Sequence, residues 1–86
     1  MITHQQSEHI AAAIRGARST LGWSQTELAV RAGISTPTVA RIETGAIHPK
    51  FETIGRLMRA LEVGGIHIIW TAPGVFSLNA NLANKR

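Results

Sequence analysis

The sequence predicts a mainly α domain of about four short helices on one modest core, followed by a C-terminal β-strand or short hairpin. Three observations predict it. Apolar residues recur at helical spacing in four stretches, each bounded by a capping residue or a glycine. The period then shortens to two in residues 66–71, IHIIWT. A chain of 86 residues has room for one small domain.

The first helix is expected over residues 4–21. Thr3 and Gln6 offer a capping box at its start, and Ile10, Ile14, Ala17 and Leu21 form its apolar stripe. Gly22 ends it. Ser24 and Glu27 read as a second capping box, S-x-x-E, opening a short helix whose Leu28, Ala29 and Ala32 share a face. Gly33 stands where that helix must stop, because glycine enters the left-handed conformation without steric cost. Ser35 caps a third helix, with Pro37 in its first turn, where a missing N–H costs little. Val39 and Ile42 point back to the second helix, and Gly45 ends the third. Residues 45–50, GAIHPK, form a loop in which Pro49 disfavours helix at His48. The fourth helix is expected over residues 51–62, with Phe51, Ile54, Leu57, Met58 and Leu61 as its stripe and Met58 as a core filler. Gly64 and Gly65 stop it.

The spacing within residues 25–44 is restrictive. Ala29 lies four residues before Gly33, Val39 six after it and Ile42 nine after it. Two helices crossing at roughly 90–120° need glycine in the turn and a small residue at the crossing. Thr36, Pro37, Thr38, Ala40, Arg41 and Thr44 are then left to face outward. A helical hairpin inside a core has no need of such short outward side chains. The pattern is that of a helix-turn-helix that reads DNA.

Residues 14–63 resemble the Cro/C1-type (XRE) helix-turn-helix family. The landmarks are Ile14-Arg15, Arg18, Leu21-Gly22-Trp23-Ser24-Gln25, Leu28-Ala29, Gly33-Ile34-Ser35, Val39, Arg41-Ile42-Glu43, Gly45, Pro49, Thr53-Ile54 and Leu61. The resemblance implies a lambda-repressor-like bundle and a sequence-specific regulator, most simply a repressor acting as a homodimer. Many family members carry a fifth helix where this chain turns to β character. The segment LGWSQTELA, with the apolar tail, is similar to HipB-like antitoxins, which implies as an alternative a toxin partner and repression of the chain's own operon.

In such a motif the third helix lies in the major groove, its first residues nearest the base edges. Thr36 and Pro37 would meet bases through carbons suited to a thymine methyl, and Thr36 adds a hydroxyl. Arg41, one turn on, can reach a guanine edge in bidentate fashion or bind phosphate instead; Ala40 permits close approach. The family often carries Gln where Thr36 stands, so its base preference does not transfer. Gln25, in the first turn of the second helix, can meet a phosphate beside free N–H groups, a role the resemblance also implies. Ser35, Thr38, Thr44, His48 and Lys50 are the further phosphate candidates; Arg15 and Arg31 read as solvated or peripheral. The resemblance implies a structural ion pair between Arg18 and Glu43.

Nine Lys and Arg against five Glu and no Asp leave a net charge of +4, as expected for a nucleic-acid binder. A cysteine-free chain builds no disulfide and no thiolate metal site. His4, His9, His48 and His67 lack H-x-x-x-H spacing and a neighbouring Asp or Cys, and no phosphate-loop or nucleophile motif occurs. The expectation is no enzyme, no metal and no cofactor. No long apolar run or signal pattern appears, so a cytoplasmic protein without membrane contact is expected. Its expected partners are double-stranded DNA with an inverted-repeat operator and a second copy.

Residues 1–64 are thus read as the DNA-binding domain, 65–79 as a strand segment and 80–86 as a flexible tail. A single strand or lone hairpin is marginal in water, and its unpaired edge invites another chain. The favoured reading pairs two copies through Ile66, Ile68, Ile69 and Trp70 across a two-fold axis. The alternative is a hairpin with residues 75–78, folded onto the chain's own helices.

Overall fold

The computed structural model describes residues 3–72 and 75–80, with side chains through residue 69. Four helices run in order: α1 (His4–Thr20), α2 (Gln25–Ala32), α3 (Thr36–Glu43) and α4 (Phe51–Val63); strands β1 (Ile66–Ala72) and β2 (Val75–Ala80) follow. Thr3 forms both halves of its capping box with Gln6, at 2.9 and 3.1 Å. At α2 only half of the expected box forms. Ser24 Oγ accepts from the Glu27 N–H at 3.0 Å, while the Glu27 carboxylate turns to Arg31, 2.7 Å away. An i, i+4 ion pair has displaced the return bond to the cap.

The core gathers Ile10, Ile14 and Ala17 of α1, Leu28 and Ala29 of α2, Val39 and Ile42 of α3, and Ile54, Leu57 and Leu61 of α4. Helix α2 packs on both α3 and α4, and α1 on both α3 and α4. Trp23 and Met58 lie half-buried against this core. Phe51 departs from the expected stripe: it opens α4 and is 65% exposed.

The C-terminal segment resolves into a hairpin within one chain. β1 and β2 pair antiparallel, with Ile66 opposite Ala80, Ile68 opposite Leu78 and Trp70 opposite Phe76, and the register slips near Ala72. β1 packs on α4 and β2 on α1. Ile66 and Ile68, at 2% and 5% exposure, belong to the chain's own core. This corrects their assignment to a dimer surface. A hairpin partner takes one edge of β1, and burial of each isoleucine contributes about 1.5–3 kcal/mol, so no second copy is needed to hold the strand. Ile69 lies on the opposite face at 38% exposure. The side chain of Trp70 and most of the expected tail lie outside the described residues. The hairpin shares its core with the helices, so the expected boundary after residue 64 separates no independent unit.

Gly64 joins the two ends of the fold. A methyl group placed on it would meet Trp23 at 2.7 Å and Leu21 at 2.9 Å. Gly55, within α4, has only the Arg59 guanidinium at 3.5 Å. Gly64→Ala is expected to destabilise the domain by about 1–3 kcal/mol through overpacking. Gly55→Ala should instead stabilise it by about 0.5–1 kcal/mol, since alanine loses less backbone freedom in a helix. Thermal unfolding of the two variants checks the opposite signs.

Candidate nucleic-acid interface

Helix α3 is presented by its ends and its inner face. Ser35 Oγ accepts from the Thr38 N–H at 3.2 Å, Pro37 occupies the first turn, and Val39 and Ile42 are buried. The outer face follows by helical geometry. Thr36 and Ala40, and Pro37 and Arg41, are adjacent i, i+4 pairs, which groups the four expected base-reading residues on one surface. Pro37 and Arg41 are exposed; Thr36 and Ala40 are half-buried. The Arg41 guanidinium makes no hydrogen bond or ion pair with any described residue.

The expected phosphate residues divide into those that face outward and those already engaged. Ser35 Oγ and Thr38 Oγ1 are 2.7 Å apart, so the two hydroxyls share one mutual bond and keep one hydrogen to donate. Thr44 closes α3: its hydroxyl donates to the Arg41 carbonyl at 2.8 Å and accepts from the Ala46 N–H at 3.2 Å. That hydrogen is committed to the last turn of α3, which removes the donor a phosphate would need. His48 and Lys50 are exposed on the α3–α4 loop, and the His48 ring lies 6.4 Å from that of His4 at the start of α1.

Gln25 has a double position. Its Nε2 donates to Glu43 Oε1 at 3.1 Å, leaving one amide hydrogen and the amide oxygen. At the same helix end the backbone N–H groups of Gln25 and Thr26 are used by no described residue. The positive end of the α2 dipole and these donors suit an anion.

Glu43 is the centre from which these parts are held. It is 3% exposed. Arg18 approaches it as a fork, Nε to Oε2 at 2.7 Å and Nη2 to Oε1 at 3.0 Å, and its third nitrogen donates to the Trp23 carbonyl at 2.8 Å. Arg15 donates to the Glu43 backbone carbonyl at 2.7 Å, capping the last turn of α3. The hydrogen bond to Glu43 raises the Arg18 pKa; burial opposes this, and the charge on Glu43 adds to it. A raised pKa on a cation gives stability that is present below the ordinary guanidinium range and lost only in strong alkali. Neutral or mildly basic pH therefore leaves the Arg18 side of the pair charged. Sequence reasoning did not find the bonds from Arg15 and Gln25. Their partner lies 28 and 18 residues away, beyond the reach of any local spacing rule.

Arg18→Ala would strand a buried carboxylate and is expected to cost about 3–5 kcal/mol. Arg15→Ala removes one exposed donor and should cost about 1–2 kcal/mol. Chemical denaturation of both variants tests the ranking. Equal losses would show that the fork is not the stronger element.

Comparison with known proteins agrees with this geometry. Residues 9–67 match a family model described as a helix-turn-helix domain. The crystal structure of a point mutant of the restriction-modification controller protein C.Esp1396I superposes with a TM-score of 0.64, at 19% identity, over 66% of this chain and 74% of that one. That likeness establishes the fold. No curated protein matches the chain by sequence. No helix among the described residues is long and apolar enough to cross a membrane. Most of the chain lies within the matched region, α2 and α3 fall inside it, and the chain belongs to the helix-turn-helix domain family.

Proposed function

We propose that the chain is a sequence-specific repressor that binds an inverted-repeat operator as a homodimer. The observation that carries this reading is the outer face of α3, where Thr36, Pro37, Ala40 and the uncommitted Arg41 stand together on a helix held rigidly from behind. Thr36 and Pro37 would touch base edges at the helix start, and Arg41 would read a guanine deeper in the groove. The start of α2 with Gln25, the Ser35–Thr38 pair, His48 and Lys50 would position the helix through phosphates. Occupancy of the operator suffices to block transcription, so no catalytic step, metal or cofactor enters. A second copy would join through the outer edge of the hairpin or the exposed Ile69, in place of the buried Ile66 and Ile68.

An antitoxin role would add a toxin as a protein partner. It rests on the LGWSQTELA resemblance and is compatible with repression. A toxin-like reading frame beside the gene would favour it, and its absence would favour a stand-alone regulator.

Arg41→Ala should cost about 1–3 kcal/mol on the selected operator and much less on random DNA. Equal loss on both would make Arg41 a phosphate contact. Lys50→Ala should weaken all sequences alike and lower the salt slope by about one. Sites selected from random DNA should contain inverted half-sites about 34–36 Å apart, and sedimentation at micromolar concentration should give a dimer. Single half-sites together with a monomer would reject the dimeric reading.

A further inference from the structure

The largest group of cations in the described chain does not lie on the recognition helix. Of its seven Lys and Arg residues, three (Arg31, Arg56 and Arg59) line one open cleft between α2 and α4, of about 230 Å³. Ala32, Ala60 and Val63 complete its lining, and Val63 is 74% exposed. Helix α2 packs on both α3 and α4, and none of the residues that line this cleft belongs to α3.

The three guanidinium groups differ in commitment. Arg31 pairs with Glu27 and lies 4.3 Å from the centre of the Trp23 ring, which fixes it as one wall. Arg56 reaches over the turn, its Nη1 3.3 Å from where a Gly33 side chain would begin, and makes a loose 3.5 Å pair with the exposed Glu52. The negative end of the α2 dipole favours a cation there. Arg59 makes no hydrogen bond or ion pair with any described residue, and its Nη1 lies 3.5 Å from where a Gly55 side chain would begin. Two helices thus aim planar, forked donors at one space that also exposes aliphatic surface.

We propose that this cleft docks an acidic segment of a protein partner. Guanidinium groups match carboxylates in bidentate fashion, and the weakly hydrated arginine suits protein interfaces. The exposed Val63 and the two alanines fit aliphatic side chains beside those carboxylates, a combination that a nucleic-acid backbone does not present. Positive surface facing negative surface steers such a partner and sets its orientation. The assignment is independent of the DNA-binding reading, because the two faces use different residues.

The test uses the full chain and four probes observed by NMR: a short peptide of Glu, Asp and Leu, a charge-reversed peptide of Lys and Leu, inorganic phosphate, and a random-sequence duplex. The acidic peptide should shift the resonances of Arg31, Arg56, Arg59 and Val63 and leave residues 36–41 unmoved. The paired change Arg56→Gln and Arg59→Gln should weaken peptide binding about tenfold or more, as loss of charged hydrogen bonds predicts, with thermal unfolding confirming the fold. Arg59→Gln alone should show part of that loss. DNA affinity and its salt slope should not change. Peptide shifts outside the cleft, unchanged affinity in the paired variant, or equal binding of the charge-reversed peptide would each overturn the proposal. So would phosphate binding as tightly as the peptide, which would mark a simple anion site. A salt slope lower by about two in the paired variant would also overturn it, by making these arginines phosphate contacts of DNA.

Discussion

A carboxylate withdrawn from water holds α3 in place. Glu43 ends α3 and is nearly inaccessible, so its charge must be satisfied by the protein. Arg18 of α1 supplies two forked bonds and Gln25 of α2 a third, while Arg15 takes the backbone carbonyl of the same residue. Helices α2 and α3 have eight residues each, too short to persist alone in water. Apolar contacts give them stability, but such contacts are non-directional. The network around Glu43 adds direction: it is satisfied when the end of α3, the start of α2 and the C-terminal turns of α1 adopt one relative placement.

This placement separates holding from presenting. The hydroxyl of Thr44 and half of the Gln25 amide are used inward, and Ser35 and Thr38 share their bonds in the cap. What remains outward includes Arg41, the Pro37 ring, one hydroxyl hydrogen, the open end of α2, and His48 and Lys50 of the following loop. A site built on supported helices keeps its geometry better than one on a loop. Gln25 links the two groups, because one hydrogen of its amide bonds to Glu43 of α3 while the other has no partner among the described residues.

The hairpin closes the opposite side of the core. A two-stranded sheet leaves one edge on each strand unpaired, yet the inward isoleucines of β1 tie it to the helices and make it part of one cooperative unit. Positive charge is likewise distributed over more than one face. The excess that suggests a nucleic-acid binder gathers more densely between α2 and α4 than on α3, so net charge describes the molecule and not the site.

The sequence by itself determined the helices and their order. Capping residues, helical stripes and the glycine at position 33 act over a few residues, and α1 to α4 begin and end within a residue or two of where those signals stand. It also determined which side of α3 turns outward, because burial of Val39 and Ile42 leaves no other choice. The tertiary structure decided what depends on distant partners. Glu27 chose Arg31 over its cap, Phe51 fell outside the core, and Arg15 and Gln25 converged on Glu43. It decided too that β1 pairs within the chain and that three arginines from two helices share a cleft. Local spacing specifies a helix face; which residue meets that face depends on how the chain returns, and that is settled only when the whole core packs.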